Sequence, residues 1–117
     1  MSNKVFINDL GFIEQVYDEV QDFSSVQGSM DEARQLLSDN KSKLVLVDVS
    51  KIRTTNSGAR EAAVVFLRES KFTKLAVFGG NIFIKNLANL VIRASGQNQK
   101  SQVFKTRDEA VSWLNIK

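Results

Sequence analysis

The sequence contains no histidine, no cysteine and no proline. Without cysteine, the chain can form neither disulfides nor thiolate metal sites. Without histidine, it lacks the side chain that most often transfers protons near neutral pH. A metal site would then need several carboxylates together, and no acidic residues in the sequence show ligand spacing. We therefore expect no metal site and no cofactor.

Long apolar runs are also missing. No stretch approaches the roughly 20 apolar residues that a membrane-spanning helix needs, and the N-terminus lacks the basic-then-apolar order of a signal peptide. We therefore expect a cytoplasmic protein without a transmembrane segment. At 117 residues, the chain has the length of one domain, which we expect to span residues 1–117.

Charge is unevenly distributed along the chain. Residues 1–50 carry nine acidic and four basic side chains, whereas residues 51–117 carry twelve basic and four acidic ones. A basic half could neutralise nucleic-acid phosphates, but no basic stripe interleaved with aromatic residues accompanies it. We expect the two halves to mix their charges on one folded surface, and we expect no nucleic-acid partner.

The first third of the sequence predicts a β-hairpin followed by a helix. Val5-Phe6-Ile7 and Phe12–Tyr17 are apolar segments separated by a turn, as in two antiparallel strands. Ser29-Met30-Asp31-Glu32 has the form of a capping box, in which the serine and glutamate side chains accept from backbone amides. We therefore expect a helix that begins at Ser29 and ends near Asn40.

The rest of the sequence alternates strands and helices. Leu44–Val49 is almost continuously apolar, which is typical of a central strand buried on both faces. The later elements are predicted in this order: a helix from about Ser57, a strand at Leu75–Phe78, a helix capped by Asn81 and closed by Gly96, a strand at Val103-Phe104, and a helix capped by Thr106. The order ββαβαβαβα predicts an α/β fold with a mixed sheet.

The predicted third helix is apolar on two sides. Its expected inner face consists of Phe83, Leu87, Leu90, Val91 and Ala94. A second apolar stripe, formed by Ile84, Ala88 and Ile92, recurs at i, i+4 and i+8 on the other side of the helix. A helix surface that faces solvent should be polar there. Together with apolar residues off the inner face of the second helix and two flanking basic residues, this stripe is our candidate partner or ligand face: Val64, Val65, Ile84, Ala88, Ile92, Lys85 and Arg93.

Three segments resemble the STAS superfamily, and in particular its SpoIIAA-like branch of small bacterial proteins. Leu44–Ser50 is similar to the family's central strand that ends in Asp-x-Ser, and Ala59–Ala62 to the start of the following helix. Val103–Leu114 is similar to a terminal strand followed by Glu-Ala-x-x-Trp-Leu. The resemblance implies a STAS-like (SpoIIAA-like) fold, with about four helices packed mainly on one face of the mixed sheet.

The resemblance also raises the question of a phospho-switch. Anti-sigma-factor antagonists of this superfamily carry a phosphorylatable serine in an Asp-Ser-Ser-Gly turn, to which Thr54–Gly58 corresponds. Aligned by the glycine, the acceptor position holds Asn56; aligned from Asp48 without a gap, it holds Ser57. A phosphate at a helix N-terminus would meet free amides, but either residue could equally serve as a helix N-cap.

These observations favour a non-catalytic bacterial regulatory or protein-interaction module over an enzyme. No nucleophile stands beside a base, and Asp48, at the end of a buried strand, is expected to bond to the next turn. The partners that we expect are a second copy of the chain, forming a homodimer through the second stripe and the Val64-Val65 edge, and an unidentified protein. The alternatives are a carrier or sensor of a small apolar or lipid-like ligand, and a phospho-switched protein like the anti-sigma-factor antagonists.

Overall fold

The computed structural model describes residues 3–116 and confirms the predicted order of elements. The strands and helices follow the chain as β1 (Lys4–Ile7), β2 (Ile13–Val16), α1 (Phe23–Asp39), β3 (Leu44–Asp48), α2 (Ser57–Glu69), β4 (Lys74–Phe78), α3 (Ile82–Ser95), β5 (Ser101–Phe104) and α4 (Arg107–Leu114).

The sheet is mixed and follows the sequence order of its strands. Five strands lie in the order β1-β2-β3-β4-β5. Strands β1 and β2 form the antiparallel hairpin, and β2 to β5 run parallel, each to the next. One edge of the sheet therefore collects the carboxyl ends of four parallel strands.

The two faces of the sheet are covered unequally. Helices α1, α2 and α3 pack with Val45 and Val47 in the larger core cluster. Helix α4 packs on the opposite face, where Ala110 and Leu114 contact Leu46. Three of the four helices thus lie on one side, as predicted.

Helix α4 is also attached by charged groups. Arg107 donates from Nη2 to Glu14 Oε1 of β2 at 2.9 Å, and Lys74 Nζ of β4 donates to the carbonyl oxygens of Trp113 and Ile116. Lys74 Nζ also lies 4.9 Å from the centre of the Trp113 ring. These contacts hold both ends of α4 to the sheet.

The predicted start of α1 at Ser29 is wrong. The helix begins at Phe23 with a capping box formed by Asp22 and Ser25, and hydrogen bonds from Ser25 lower the pKa of Asp22. Ser29 is buried inside the helix, where its hydroxyl donates to the Ser25 carbonyl oxygen and accepts from Asn3. The pattern Ser29–Glu32 was misleading because a helical serine can bond backward to the preceding turn.

The predicted inner face of α3 is only partly right. Leu87 and Val91 pack against the core as expected, but the other members do not. Ile84 and Ile92 are buried in the core, and Ala88 packs against them from the same side. Phe83 and Leu90, which we expected inside, are 63% and 56% exposed. Both stripes are apolar, so the helical period alone could not identify the buried one; contact with the sheet decides it.

A turn of two glycines sets the approach of α3 to the sheet. Gly79 has φ +84°, and a Cβ on it would lie 2.7 Å from Ser50 Cβ in the loop after β3. Gly96, which closes α3, has φ +76° with open space around it. Both positions need the left-handed backbone that glycine adopts readily. Of the two, only Gly79 also leaves no room for a side chain.

We expect Gly79→Ala to destabilise the protein more than Gly96→Ala. The matched control carries only the left-handed backbone cost, about 1–2 kcal/mol. Gly79→Ala adds steric overlap with Ser50, about 1–3 kcal/mol more. Urea unfolding of both variants measures the difference; equal losses would show that the loop around Ser50 yields freely.

Candidate functional site

The loops after β2, β3 and β4 meet at the carboxyl edge of the parallel strands. Val20 forms a parallel bridge with Thr54, which joins the first two loops, and the close approach of Gly79 to Ser50 joins the second and third. Ligands of open α/β sheets gather at this edge. The edge is therefore the place to look for a functional surface.

Large apolar side chains are exposed along this edge. Val20, Phe23, Ile82 and Phe83 are each more than half exposed, and they are four of the nine exposed large apolar side chains among residues 3–116. We call these four residues the carboxyl-edge patch. Phe23 begins α1, whereas Ile82 and Phe83 begin α3, so separate parts of the sequence contribute to one edge.

Sequence reasoning missed the carboxyl-edge patch. Phe83 was expected on the inner face of its helix, and Val20 and Phe23 fell before the predicted start of α1. The available signal was the position of these residues: Phe23 directly follows the capping Asp22, and Ile82 directly follows the capping Asn81. When two helices follow parallel strands of one sheet, their first turns lie at the same edge of that sheet.

Asn56 and Ser57 lie at the same edge, at the start of α2. Asn56 is the N-cap, and its Oδ1 accepts from the Ala59 amide at 2.9 Å. Ser57 is the first helical residue and its side chain is exposed. A Cβ on Gly58 would lie 3.1 Å from Phe23 Cβ, so the start of α2 packs closely on the start of α1. Of the two residues that could cap α2, Asn56 is the N-cap, and the side chain of Ser57 is exposed to solvent.

Asp48 forms the turn contact that the sequence predicts. Its Oδ1 accepts from the backbone amide of Ser50 at 2.9 Å and from the Ser50 hydroxyl at 2.6 Å.

Within residues 3–116, no group of three acidic side chains is arranged to hold a metal ion, and no helix is both long and apolar enough to cross a membrane.

The candidate face predicted around α3 is not a single surface. Its three stripe residues, Ile84, Ala88 and Ile92, line a mainly apolar cavity of about 130 Å³ between α1, α2, α3 and the sheet. The predicted homodimer contact through this stripe is therefore wrong, because these side chains face the core. The other members remain outside the cavity lining: Val64, Val65 and Lys85 are half-buried, and Arg93 is exposed.

Two polar side chains, one in β2 and one directly after it, face the same cavity. Gln15 is completely buried and Tyr17 nearly so. The Tyr17 hydroxyl donates to Gln15 Oε1 at 2.5 Å, with Met30 Sδ 3.6 Å away. Gln15 Nε2 has no hydrogen-bond partner. An unpaired buried donor is costly in a folded protein, so this amide stands out.

The sequence carried a signal for the buried glutamine that was overlooked. Ile13, Gln15 and Tyr17 alternate along β2, which places all three side chains on one face of the sheet. A glutamine between two core residues of a strand predicts a polar group inside the core.

The mixed sheet, the order of its elements and the packing of its helices are those of a STAS-like domain. A protein of the DUF3478 family with a SpoIIAA-like fold from Shewanella loihica superposes with a TM-score of 0.67 at 10% identity, covering 97% of this chain and 92% of its own. An anti-sigma factor antagonist from Mycobacterium paratuberculosis superposes with a TM-score of 0.68 at 14% identity, covering 98% and 94%. At these identities the likeness shows the fold alone.

The chain belongs to the family described as Domain of unknown function (DUF7793), whose model matches residues 13–116. No curated protein matches the sequence.

The single tyrosine of the chain tests the buried state of the Gln15–Tyr17 pair. Burial raises the pKa of Tyr17 above 10.0, its ordinary value. The folded state therefore favours the neutral phenol, and its stability is unaffected below about pH 9 and falls by about 1.4 kcal/mol per pH unit above pH 10. We expect tyrosinate absorbance to appear only as the protein unfolds.

The control for this titration is the same protein in denaturant, where the phenol should ionise near pH 10. Ionisation near pH 10 with an unchanged circular dichroism spectrum would contradict the buried placement of Tyr17.

Proposed function

We propose that this protein is a non-catalytic regulatory module that binds another protein through the carboxyl-edge patch. The observation that carries the proposal is the exposure of Val20, Phe23, Ile82 and Phe83 at one edge of the sheet. Isolated apolar side chains on a surface are ordinary, but several at one edge of a sheet, contributed by two helix starts and a loop, suit an interaction site.

The energetics of the patch favour docking. Burial of one large apolar side chain contributes about 1.5–3 kcal/mol, so four of them can supply a substantial part of the free energy of binding. Phenylalanine is among the residues enriched at protein interfaces. The capped starts of α1 and α3 hold both phenylalanines on regular secondary structure, which limits the entropy lost on binding.

Polar groups beside the patch can supply specificity. An open depression next to Val20 is lined by charged side chains that include Glu19, Lys51 and Arg53. Arg53 Nη1 lies 3.4 Å from Glu19 Oε1 in an exposed ion pair, which contributes little to stability. A partner with complementary charges can exchange these contacts for its own.

A protein partner agrees with the function for which one structural neighbour is named, that of an anti-sigma factor antagonist. A non-enzymatic role agrees with the engagement of Asp48 by its own turn. A homodimer remains a prediction, and it would have to form through a surface other than the core-facing stripe. A cytoplasmic location likewise remains a prediction.

We expect Phe83→Asp to abolish partner binding. The substitution places a charge in the patch and leaves the core untouched, because the side chain is 63% exposed. The matched control is Leu10→Asp, since Leu10 is 53% exposed but lies in the β1–β2 turn at the opposite end of the sheet. Pull-downs from the source cells should recover a protein with wild type and Leu10→Asp that Phe83→Asp loses.

Light scattering of the same three proteins separates a foreign partner from a second copy. A dimer that becomes a monomer only in Phe83→Asp would identify the partner as the chain itself. The proposal fails if the folded Phe83→Asp variant retains every partner and the mass of the wild type.

We infer as a second candidate that phosphorylation of Ser57 controls this docking. Ser57 is exposed in the first turn of α2, next to Phe23 through Gly58. A phosphate there would be stabilised by the helix N-terminus and would place charge beside the patch.

We expect protein purified from its source cells to include a form about 80 Da heavier, with the phosphate on Ser57. Ser112, which is exposed on α4, is the control serine and should be unmodified. Ser57→Asp should weaken recovery of the partner and Ser57→Ala should not. Unmodified Ser57 in cells, together with equal recovery by both variants, would contradict the switch.

A further inference from the structure

The cavity beside Gln15 has α3 as one of its walls and differs from an ordinary packing defect. Its volume of about 130 Å³ is close to that of an engineered apolar cavity of about 150 Å³ that binds benzene. Its walls are predominantly apolar and come from three helices and the sheet, with Ile84, Leu87, Ala88, Val91 and Ile92 contributed by α3.

One hydrogen-bond donor in this cavity is unused. Three buried side-chain polar atoms among residues 3–116 lack a partner, on Gln15, Ser70 and Ser101, and of these only Gln15 lines the cavity. The side-chain oxygen of Gln15, Oε1, already accepts a hydrogen bond from the Tyr17 hydroxyl. In this orientation of the amide, Nε2 has no acceptor. A buried donor without a partner is unfavourable, and a ligand that supplies an acceptor would remove that cost.

An apolar molecule suits this position better than water. A buried water is held by two to four polar partners. Gln15 Oε1 and the Tyr17 hydroxyl already share one hydrogen bond, and the lining around them is mainly apolar. A mainly apolar molecule with a single acceptor fits both the walls and the donor.

We propose that the cavity is a binding site for a small neutral molecule of about the size of benzene that carries one carbonyl oxygen. The carbonyl accepts from Gln15 Nε2, and the apolar body lies against Ala88 and its neighbours on α3. The surroundings that raise the pKa of Tyr17 also disfavour a charged ligand. The volume is too small for a fatty acyl chain, so this site narrows the lipid-like alternative to a compact molecule.

The site is independent of the proposed protein docking, because Gln15 lies inside the core and the carboxyl-edge patch lies on the surface. Either proposal can fail without the other. They share two helices, α1 and α3, each of which lines the cavity with its inner face and exposes a phenylalanine in its first turn.

Cyclohexanone and methylenecyclohexane are a matched pair of probes, because they share their shape and differ in the acceptor. NMR spectra of ¹⁵N-labelled protein report the side-chain amide of Gln15, which the spectrum of Gln15→Leu identifies by its loss. We expect cyclohexanone to shift this amide saturably and to bind wild type about tenfold more tightly than Gln15→Leu, as one hydrogen bond provides. Methylenecyclohexane should bind the two proteins equally.

Ala88→Leu provides a second variant that keeps the Gln15–Tyr17 pair. It fills the cavity from α3 and should abolish binding of both probes. Ala94→Leu makes the same change at an exposed position of the same helix and should bind cyclohexanone as wild type does. An unshifted Gln15 amide, equal affinity of cyclohexanone for Gln15→Leu, or equal affinity of wild type for the two probes would overturn the proposal.

Discussion

Strand β3 is covered by helices on both faces of the sheet, and the remaining elements are arranged around it. Val45 and Val47 face the layer of α1, α2 and α3, whereas Leu46 faces α4, and all three side chains are almost completely buried. A strand with two apolar faces cannot lie at a surface. It requires a helical layer on each side and a hydrogen-bonded strand on each edge, which β2 and β4 provide.

The neighbouring strand β2 shows how the fold treats polar groups at the same depth. Glu14 faces α4, where Arg107 and Asn8 both donate to its Oε1 at 2.9 Å. Its buried carboxylate is therefore paired, which is the condition for tolerating a charge inside a protein. Gln15 faces the other layer and is bonded on one side only. Two adjacent residues of one strand thus differ in their hydrogen bonding. The carboxylate of Glu14 is paired with groups of the chain itself, whereas the amide nitrogen of Gln15 has no partner.

Helix α3 runs from the carboxyl edge along the cavity. Ile84, Ala88 and Ile92 lie against the cavity, whereas Ile82 and Phe83 emerge at the start of the same helix. A rigid helix carries a displacement at one face to the other, so occupancy of the cavity and docking at the patch would act on a common element. Any coupling between them would be reciprocal in free energy.

The sequence by itself determined the order of the elements, the buried β3, and the caps at Asn81, Thr106 and Gly96, because each depends on residues that are close along the chain. Tertiary structure decided what local patterns left open. Asp22 rather than Ser29 caps α1. Both residue types can cap a helix, and tertiary packing selects one of them. The buried stripe of α3 was equally undecided, because two apolar faces have the same helical period and only contact with the sheet distinguishes them. The carboxyl-edge patch and the unpaired amide of Gln15 arise in the same way, from segments distant in sequence that the parallel strands bring together.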